Sequence, residues 1–320
     1  LEELAQRAHA ICVERGATAQ LALCLACEAG EAHYAYGDSA TAIACQEEAI
    51  ALEETEGGRD DLLLRFYCLQ ALELVNIGEL ERAEERLKAA YRLSSEHEMR
   101  TYLSQGLSPI EFTAAHLHDA RGEFEAARAV AERVPTDRLC RETLCRLALQ
   151  AGDMALAQKH LAVLGTLRGY GFTVRVRLHE SAVEQLFRGE LARAKSLAAT
   201  AAGDPATAER QRAVALEALG SALGDAVVYT FLPLALEVFT AAHALDPSLC
   251  PTAALALAAR HAASRYYVRR RAAAMLPPEL PPATEALVAG WLEVPPTELV
   301  PVVTGLAEEV GAKLAAAVRV

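Results

Sequence analysis

The stretch GELERAEERLKAA at residues 78–90 opens with Gly, an acidic residue, three variable residues and Ala, and this pattern recurs along the chain. Further copies are GDSATA at 37–42, GEFEAA at 122–127, GDMALA at 152–157 and GELARA at 189–194. Apolar residues follow each copy at helical spacing, and another helical stretch precedes it. The repeated unit is therefore predicted to be a helix, a tight turn and a second helix.

Each residue type in this six-residue pattern has a structural role. Gly adopts the left-handed backbone conformation that ends the first helix, and the acidic residue is favourable at the positive amino-terminal end of the second. The Ala five positions after Gly is small, so the two helices can approach closely. We therefore predict close helix contacts at Ala83, Ala127 and Ala194.

These units resemble tetratricopeptide (TPR) repeats, which are helical hairpins of about 34 residues. A sixth unit at 232–248 lacks the Gly-acid opening but has Ala235, Phe239, Ala242 and Pro247 at the family's spacing. The spacing between units is irregular and the family's Trp is absent from them, so the repeats are degenerate. The resemblance implies an all-α, right-handed superhelix of antiparallel helix hairpins.

The resemblance covers roughly residues 17–250, which predicts a TPR-like array over 1–250 and a helical capping region over 251–320. The capping region contains the Pro-rich stretch MLPPELPPATE at 275–285. Its last helix, expected over 297–318, has an apolar stripe at helical spacing. One interpretation is a cap on the open end of the solenoid. The alternative is a docking helix that forms a homodimer.

Composition and charge narrow the classes of function. The formal net charge of −12 argues against direct nucleic-acid binding, which requires cationic charge to neutralise phosphates. No apolar run is long enough to predict a membrane span. The eight cysteines lie in apolar helical stretches, which indicates reduced thiols in a cytoplasmic protein. Because the chain begins at Leu1 instead of Met, the sequence leaves open a removed leader or an upstream domain.

The sequence contains no motif that predicts catalysis, a metal or a cofactor. Cys24 and Cys27 form a CxxC pair, but no second pair follows at zinc-like spacing, so we interpret them as core residues. The stretch HESAV begins like the zinc motif HExxH, but Val183 stands where the second His is required. We expect a protein that is not an enzyme.

The resemblance also implies which residues face a partner. In TPR-like superhelices the first helix of each hairpin lines a concave groove, and residues ten, six and three positions before the turn Gly share one helical face. This carry-over, with Asn76 added as a donor to a bound backbone, gives a partner-binding groove of Glu31, Tyr34, Asn76, Phe112, His116, Asp119, Glu142, Arg146 and His179. The groove centre, from Phe112 to Arg146, is the predicted main binding surface. It lacks the array of Lys and Arg with which some TPR proteins hold a peptide carboxylate.

A second candidate surface is the segment RHAASRYYVRRR at 260–271, predicted to lie in one helix over 252–275. Arg and Tyr together suit contacts with anions. We therefore keep Arg265, Arg269 and Arg270 as a candidate site for an anionic partner, against the alternative of a solvated helix with salt bridges.

The function predicted from these features is a scaffold that binds a protein or peptide in the groove of a TPR-like superhelix. The alternative is the ligand- or peptide-sensing effector domain of a larger bacterial transcriptional regulator. A helix-turn-helix or nucleotide-binding domain in the full-length reading frame would favour the alternative.

Overall fold

The structure is a computed structural model that describes residues 2–55, 60–96, 109–167 and 174–319. These residues form sixteen α-helices and no β-strand. The predicted all-α class is confirmed, while the right-handed superhelix and the TPR identity of the units stay predictions. Contacts between residues divide the chain into two compact units, Leu1–Cys140 and Arg141–Val320.

Unit 1 is built from helices that pack against their neighbours in sequence. Its helices are α1 Glu2–Arg15, α2 Thr18–Glu31, α3 Ser39–Thr55, α4 Asp60–Ile77, α5 Leu80–Glu96, α6 Pro109–Ala120 and α7 Phe124–Ala131. A π-helical turn, Ala32–Tyr36, extends α2. Helix α8, Arg138–Gln150, begins at the end of this unit.

Unit 2 contains the longest helices of the described chain. Its helices after α8 are α9 Met154–Leu164, α10 Val174–Ala201, α11 Pro205–Val228, α12 Leu232–Leu245, α13 Thr252–Arg260, α14 Tyr266–Met275, α15 Pro282–Leu292 and α16 Val300–Val318. Helices α10 and α11 pack along each other, and α12 packs against both. None of the helices in the described ranges combines the length and apolar character that crossing a bilayer requires.

Four of the five predicted Gly turns are confirmed: Gly37, Gly78, Gly122 and Gly152 all have positive φ. At Gly78, where φ is 89°, the Gly N–H donates to the carbonyl of Val75 at 3.1 Å. The N–H of Glu79 donates to the carbonyl of Leu74 at 2.8 Å. This pair of bonds satisfies the last carbonyl groups of α4 and fixes the turn before α5.

The acidic residue after Gly caps the following helix where it is Asp. The Asp153 carboxylate accepts from the N–H of Leu156 at 2.9 Å, and Asp38 accepts from the N–H of Thr41 at 3.1 Å. Glu123 occupies the same position without a side-chain cap. The shorter Asp side chain therefore supplies a hydrogen bond, whereas Glu123 contributes its charge.

The predicted turn at Gly189 is wrong, because α10 continues through it without a break. The separate helices predicted over 173–187 and 190–202 are one helix. A Cβ at Gly189 would lie 2.9 Å from the Leu219 side chain and 3.4 Å from the carbonyl oxygen of Ala215. Gly189 therefore serves the close approach of α10 and α11 instead of a turn.

The turn that ends α10 lies at Gly203, where φ is 73°. Asp204 caps α11 by accepting from the N–H of Thr207 at 3.0 Å. The sequence GDPATA at 203–208 is a further copy of the six-residue pattern, and this copy was not among the predicted turns. Before α12, Thr230 takes the place of Gly with a φ of 57°, and Phe231 takes the place of the acidic residue.

The helix predicted over 252–275 is interrupted at 261–265, so it forms two helices, α13 and α14. His261 organises the break. Its Nδ1 accepts from the N–H of Ala263 at 3.0 Å, and its Nε2 lies 3.1 Å from the carbonyl oxygen of Val294. The ring therefore carries its proton on Nε2, and burial lowers the pKa of His261 below its usual value.

The apolar stripe predicted near the carboxy terminus lies on α16, which packs against α11 and α12 of the same unit. Leu299, Val303, Val310 and Leu314 are buried there. The domain boundary predicted between 250 and 251 separates an array from a cap and stays a prediction, as does dimerisation through the terminal helices.

Candidate functional site

The predicted groove residues divide between the two units. Unit 1 holds Glu31, Tyr34, Asn76, Phe112, His116 and Asp119, and unit 2 holds Glu142, Arg146 and His179. In unit 1, Asn76, His116 and Asp119 are buried, whereas Phe112 is half-buried. The rings of Phe112 and His116 meet edge to face with centroids 4.5 Å apart. These two neighbours on α6 therefore form one aromatic surface.

A buried carboxylate of unit 1, Glu73, lies outside the predicted set but hydrogen-bonds one of its members, Asn76. It also accepts from the Ser39 hydroxyl at 2.8 Å and pairs with Nδ1 of His33. Burial alone would raise the pKa of Glu73, but His33, Ser39 and Asn76 lower it below its usual value. Asn76 thus contacts an internal carboxylate, and its role in a groove stays a prediction.

In unit 2 charged and aromatic side chains form two groups, one around Tyr267 and one around Glu190, and Arg271 links them because its charge also acts on Glu237. We call the two groups together the arginine cluster. Its members come from α8, α10, α12, α14 and the residue before α14, and they are Arg146, Glu190, Arg193, Glu237, Arg265, Tyr267 and Arg271.

The Tyr267 side chain connects three charged groups. Its hydroxyl accepts from Nη1 of Arg265 at 3.0 Å and donates to Oε2 of Glu237 at 3.1 Å. The guanidinium carbon of Arg146 lies 4.4 Å from the centroid of the Tyr267 ring, which is a cation–π contact. The buried Tyr267 of α14 therefore contacts Arg265 just before that helix, Arg146 on α8 and Glu237 on α12.

His179 borders the arginine cluster on α10. Its Nε2 lies 3.4 Å from Nη2 of Arg265. Because a guanidinium can only donate, Nε2 is the acceptor and the ring proton lies on Nδ1. The ring meets Phe231 edge to face at 5.0 Å. The predicted groove residues Arg146 and His179 thus meet the same cluster, Arg146 through Tyr267 and His179 through Arg265.

Glu190 anchors the second part of the arginine cluster. Its Oε1 lies 2.7 Å from Nη2 of Arg271, and its Oε2 lies 3.1 Å from Nε of Arg193. The turn prediction placed Glu190 at a helix start. Instead it is a buried residue inside α10 whose partners come from the same helix and from α14.

The environment shifts the pKa values of the two cluster carboxylates in opposite directions. Burial raises the pKa of Glu237 above its usual value, despite the opposing effect of Arg265, Tyr267, Arg146 and Arg271. At Glu190 the neighbouring Arg271 and Arg193 outweigh burial and lower the pKa. Burial also raises the pKa of Tyr267 to about 12, so its hydroxyl keeps its proton at neutral pH.

The three arginines of the predicted anionic-partner site lie in different environments. Arg265 belongs to the arginine cluster. Arg269 donates to the backbone carbonyl groups of Ala262 and Ser264 in the break between α13 and α14. Arg270 is exposed. Arg265 is the residue before α14, whereas Arg269 and Arg270 lie within that helix.

Several residues of the arginine cluster were not predicted, because the groove residues were selected by their positions before each turn Gly. Glu237 could have been recognised, because it is the lone charge in the apolar run LPLALEVFTAA. Arg271 carries no such signal, since its partner Glu190 lies 81 positions away, and at Tyr267 only the contact with Arg265 is local in sequence.

A separate surface depression of about 490 Å³ in unit 1 is lined by Glu85, Lys88, Tyr91 and Arg92. These four residues belong to α5, the second helix of its hairpin, and none is a predicted groove residue. The depression therefore does not extend the predicted site.

No group of three or more His, Cys, Asp or Glu side chains in the described ranges is arranged to hold a metal ion. No known protein family matches this chain, and no curated protein matches it either.

Proposed function

We propose that this protein is a scaffold without catalytic activity that binds a protein or peptide segment on the face of unit 2 formed by the arginine cluster. One observation carries the proposal: Arg146, Glu237 and Arg265 converge on a single Tyr hydroxyl and ring from distant parts of the sequence. Tyr267, Arg146 and Glu237 are buried, so they position the partly exposed Arg265, and Tyr and Arg are enriched among the residues that dominate affinity at recognition sites.

The protonation of Tyr267 and of the arginines supports binding over catalysis by these groups. A general acid or base works best when its pKa lies near the working pH. Tyr267 has a pKa of about 12, and the arginines stay protonated throughout the physiological range. These groups supply fixed hydrogen bonds and charge, which suits a site that holds a partner.

Two features of the chain are consistent with a TPR-like scaffold in the cytoplasm. Hairpins with Gly turns recur along both units. All eight cysteines are free thiols, which matches the reducing conditions of that compartment.

The proposal is tested by affinity capture from native lysate. We expect the wild-type chain to retain a partner, and Arg146→Ala to lose it, because this substitution removes the cation over the Tyr267 ring. The matched control is Arg269→Ala with Arg270→Ala, outside the arginine cluster, which should keep most retention. Loss in the control with full retention in Arg146→Ala would reject the proposed face.

Phe112→Ala is measured separately, because Phe112 belongs to unit 1. The groove prediction expects reduced retention here as well. Circular dichroism melts of each variant establish that lost retention does not reflect lost folding.

A further inference from the structure

We propose that the arginine cluster recognises a carboxylate, supplied by an Asp or Glu side chain of the bound peptide. This inference rests on the proposed function and specifies the chemistry of the partner.

The exposure of the ion pairs supplies the first argument. The Arg271 side chain is 33% exposed and its partner Glu190 is 7% exposed. For Arg193 and Glu190 the values are 21% and 7%, and for Arg265 and Glu237 they are 20% and 11%. In all three pairs the carboxylate lies deeper than the guanidinium. In each of these pairs the Arg side chain is therefore the one that solvent reaches more.

The hydrogen-bonding capacity of two arginines supplies the second argument. A guanidinium has five N–H donors. Within the described ranges Arg271 donates through Nη2 to Glu190, and Arg193 donates through Nε to the same carboxylate. Neither bond uses the other nitrogens of its guanidinium. Two half-exposed guanidinium groups beside one buried carboxylate thus have donors to offer a second carboxylate.

The charge balance favours a single carboxylate over a polyanion. The four arginines of the cluster face Glu190, Glu237 and the nearby Glu142, whose charge acts on Arg265. This leaves one positive charge in a chain whose formal net charge is −12. Nucleic acid needs several cations to displace its counterions, whereas one carboxylate matches the planar fork of one Arg.

The test uses a synthetic library of random heptapeptides with amidated carboxy termini, passed over the immobilised full chain. We expect the retained peptides to be enriched in Asp and Glu. A retained peptide should bind about tenfold more weakly when its acidic residue is changed to the amide, the size expected for one charge-assisted hydrogen bond.

Arg271→Gln should remove the enrichment, and Arg260→Gln should keep it, because Arg260 pairs with Glu285, which is not a member of the cluster. Since Arg271→Gln leaves Glu190 with one partner and so endangers the fold, the double variant Arg271→Gln with Glu190→Gln is measured beside it. The double variant leaves no unpaired carboxylate at position 190, and the loss of Arg271 should also remove the enrichment.

The outcomes separate the two proposals. Retained peptides without acidic enrichment, or enrichment that survives both Arg271 variants, would overturn the carboxylate assignment while the scaffold function stands. Tighter binding of a single-stranded oligonucleotide than of any acidic peptide would overturn it too. If the library yields no retained peptide, the binding face itself is rejected.

Discussion

The carboxylate of Glu190 in α10 lies 2.7 Å from the guanidinium of Arg271 in α14, 81 positions further along the chain. Arg193 contacts the same carboxylate from one turn away on α10. Together the two cations lower the pKa of a carboxylate that burial alone would make hard to ionise. The pair therefore joins two helices of unit 2 through a buried negative charge.

This arrangement predicts how acid affects stability. The pKa of Glu190 in the folded chain lies below its unfolded value near 4.5, so its ion pairs stabilise the fold above that value. The stabilisation is lost as the pH falls through the lowered pKa. Glu190→Gln should reduce stability at neutral pH and make its decline in acid shallower, as measured by urea unfolding across pH. Glu285→Gln, at an exposed pair, should change neither.

A second prediction concerns Gly189. Adding one methyl group as Gly189→Ala forces Leu219 or the backbone near Ala215 to move, so we expect a loss of about 1–3 kcal/mol in the free energy of unfolding. The matched control is Gly224→Ala in α11, where a Cβ meets nothing within 4 Å. That change should stabilise the helix by about 0.5–1 kcal/mol. Equal effects at both sites would contradict the close approach of α10 and α11.

The small residues of the repeat pattern give a third prediction. Ala83 and Ala127 are completely buried, whereas Ala194 is half-buried because α10 does not turn at Gly189. Ala83→Leu and Ala127→Leu should therefore each cost about 1–3 kcal/mol through overpacking. Ala194→Leu should cost clearly less, in contrast to the equal roles predicted from the pattern. Thermal midpoints of the three variants provide the comparison.

His160 gives a fourth prediction, which concerns mild acid. Burial, with the nearby charges of Arg141 and Lys159, lowers the pKa of His160 from 6.5 to about 4. Its Nδ1 accepts from Nη1 of Arg141 at 2.9 Å, and protonation would replace this bond by repulsion. Since the unfolded chain takes up the proton first, stability should fall as the pH drops from 6.5 towards 4. His160→Gln should reduce this fall, and an NMR titration of His160 with a midpoint near 6.5 would contradict it.

The success of prediction from sequence differed between local and distant features. The turns at Gly78, Gly122 and Gly152 were predictable because their hydrogen bonds lie within a few residues. At Gly189 the same sequence pattern does not form a turn. Leu219 packs against the Gly189 backbone, and Glu190 pairs with Arg271, which lies far away in sequence. Neither partner can be read from six residues.

The candidate site shows the same division. A helical face carried over from the TPR resemblance selected Arg146 and His179, and both lie at or beside the arginine cluster. Arg265, which contacts His179 and shares Tyr267 with Arg146, was assigned to another site, because the helix break at 261–265, where His261 accepts from the N–H of Ala263, was not predicted. A His inside an Ala-rich helical stretch gives no local sign that it will end the helix.

The lengths of α10 and α11, 28 and 24 residues, have a consequence for the order of folding. At 1.5 Å per residue α10 alone spans about 42 Å, and a three-residue turn brings α11 back along it. The contact between Gly189 and Leu219 closes a loop of 30 residues, whereas the bond between Glu190 and Arg271 closes a loop of 81 residues and costs more chain entropy. We therefore expect Gly189→Ala to slow refolding and Arg271→Gln to speed unfolding mainly, as separated by stopped-flow kinetics across urea. If both variants changed the folding and unfolding rates in the same proportion, this order would be contradicted. In this order the long hairpin is the folding nucleus, and the ion pair forms after the transition state.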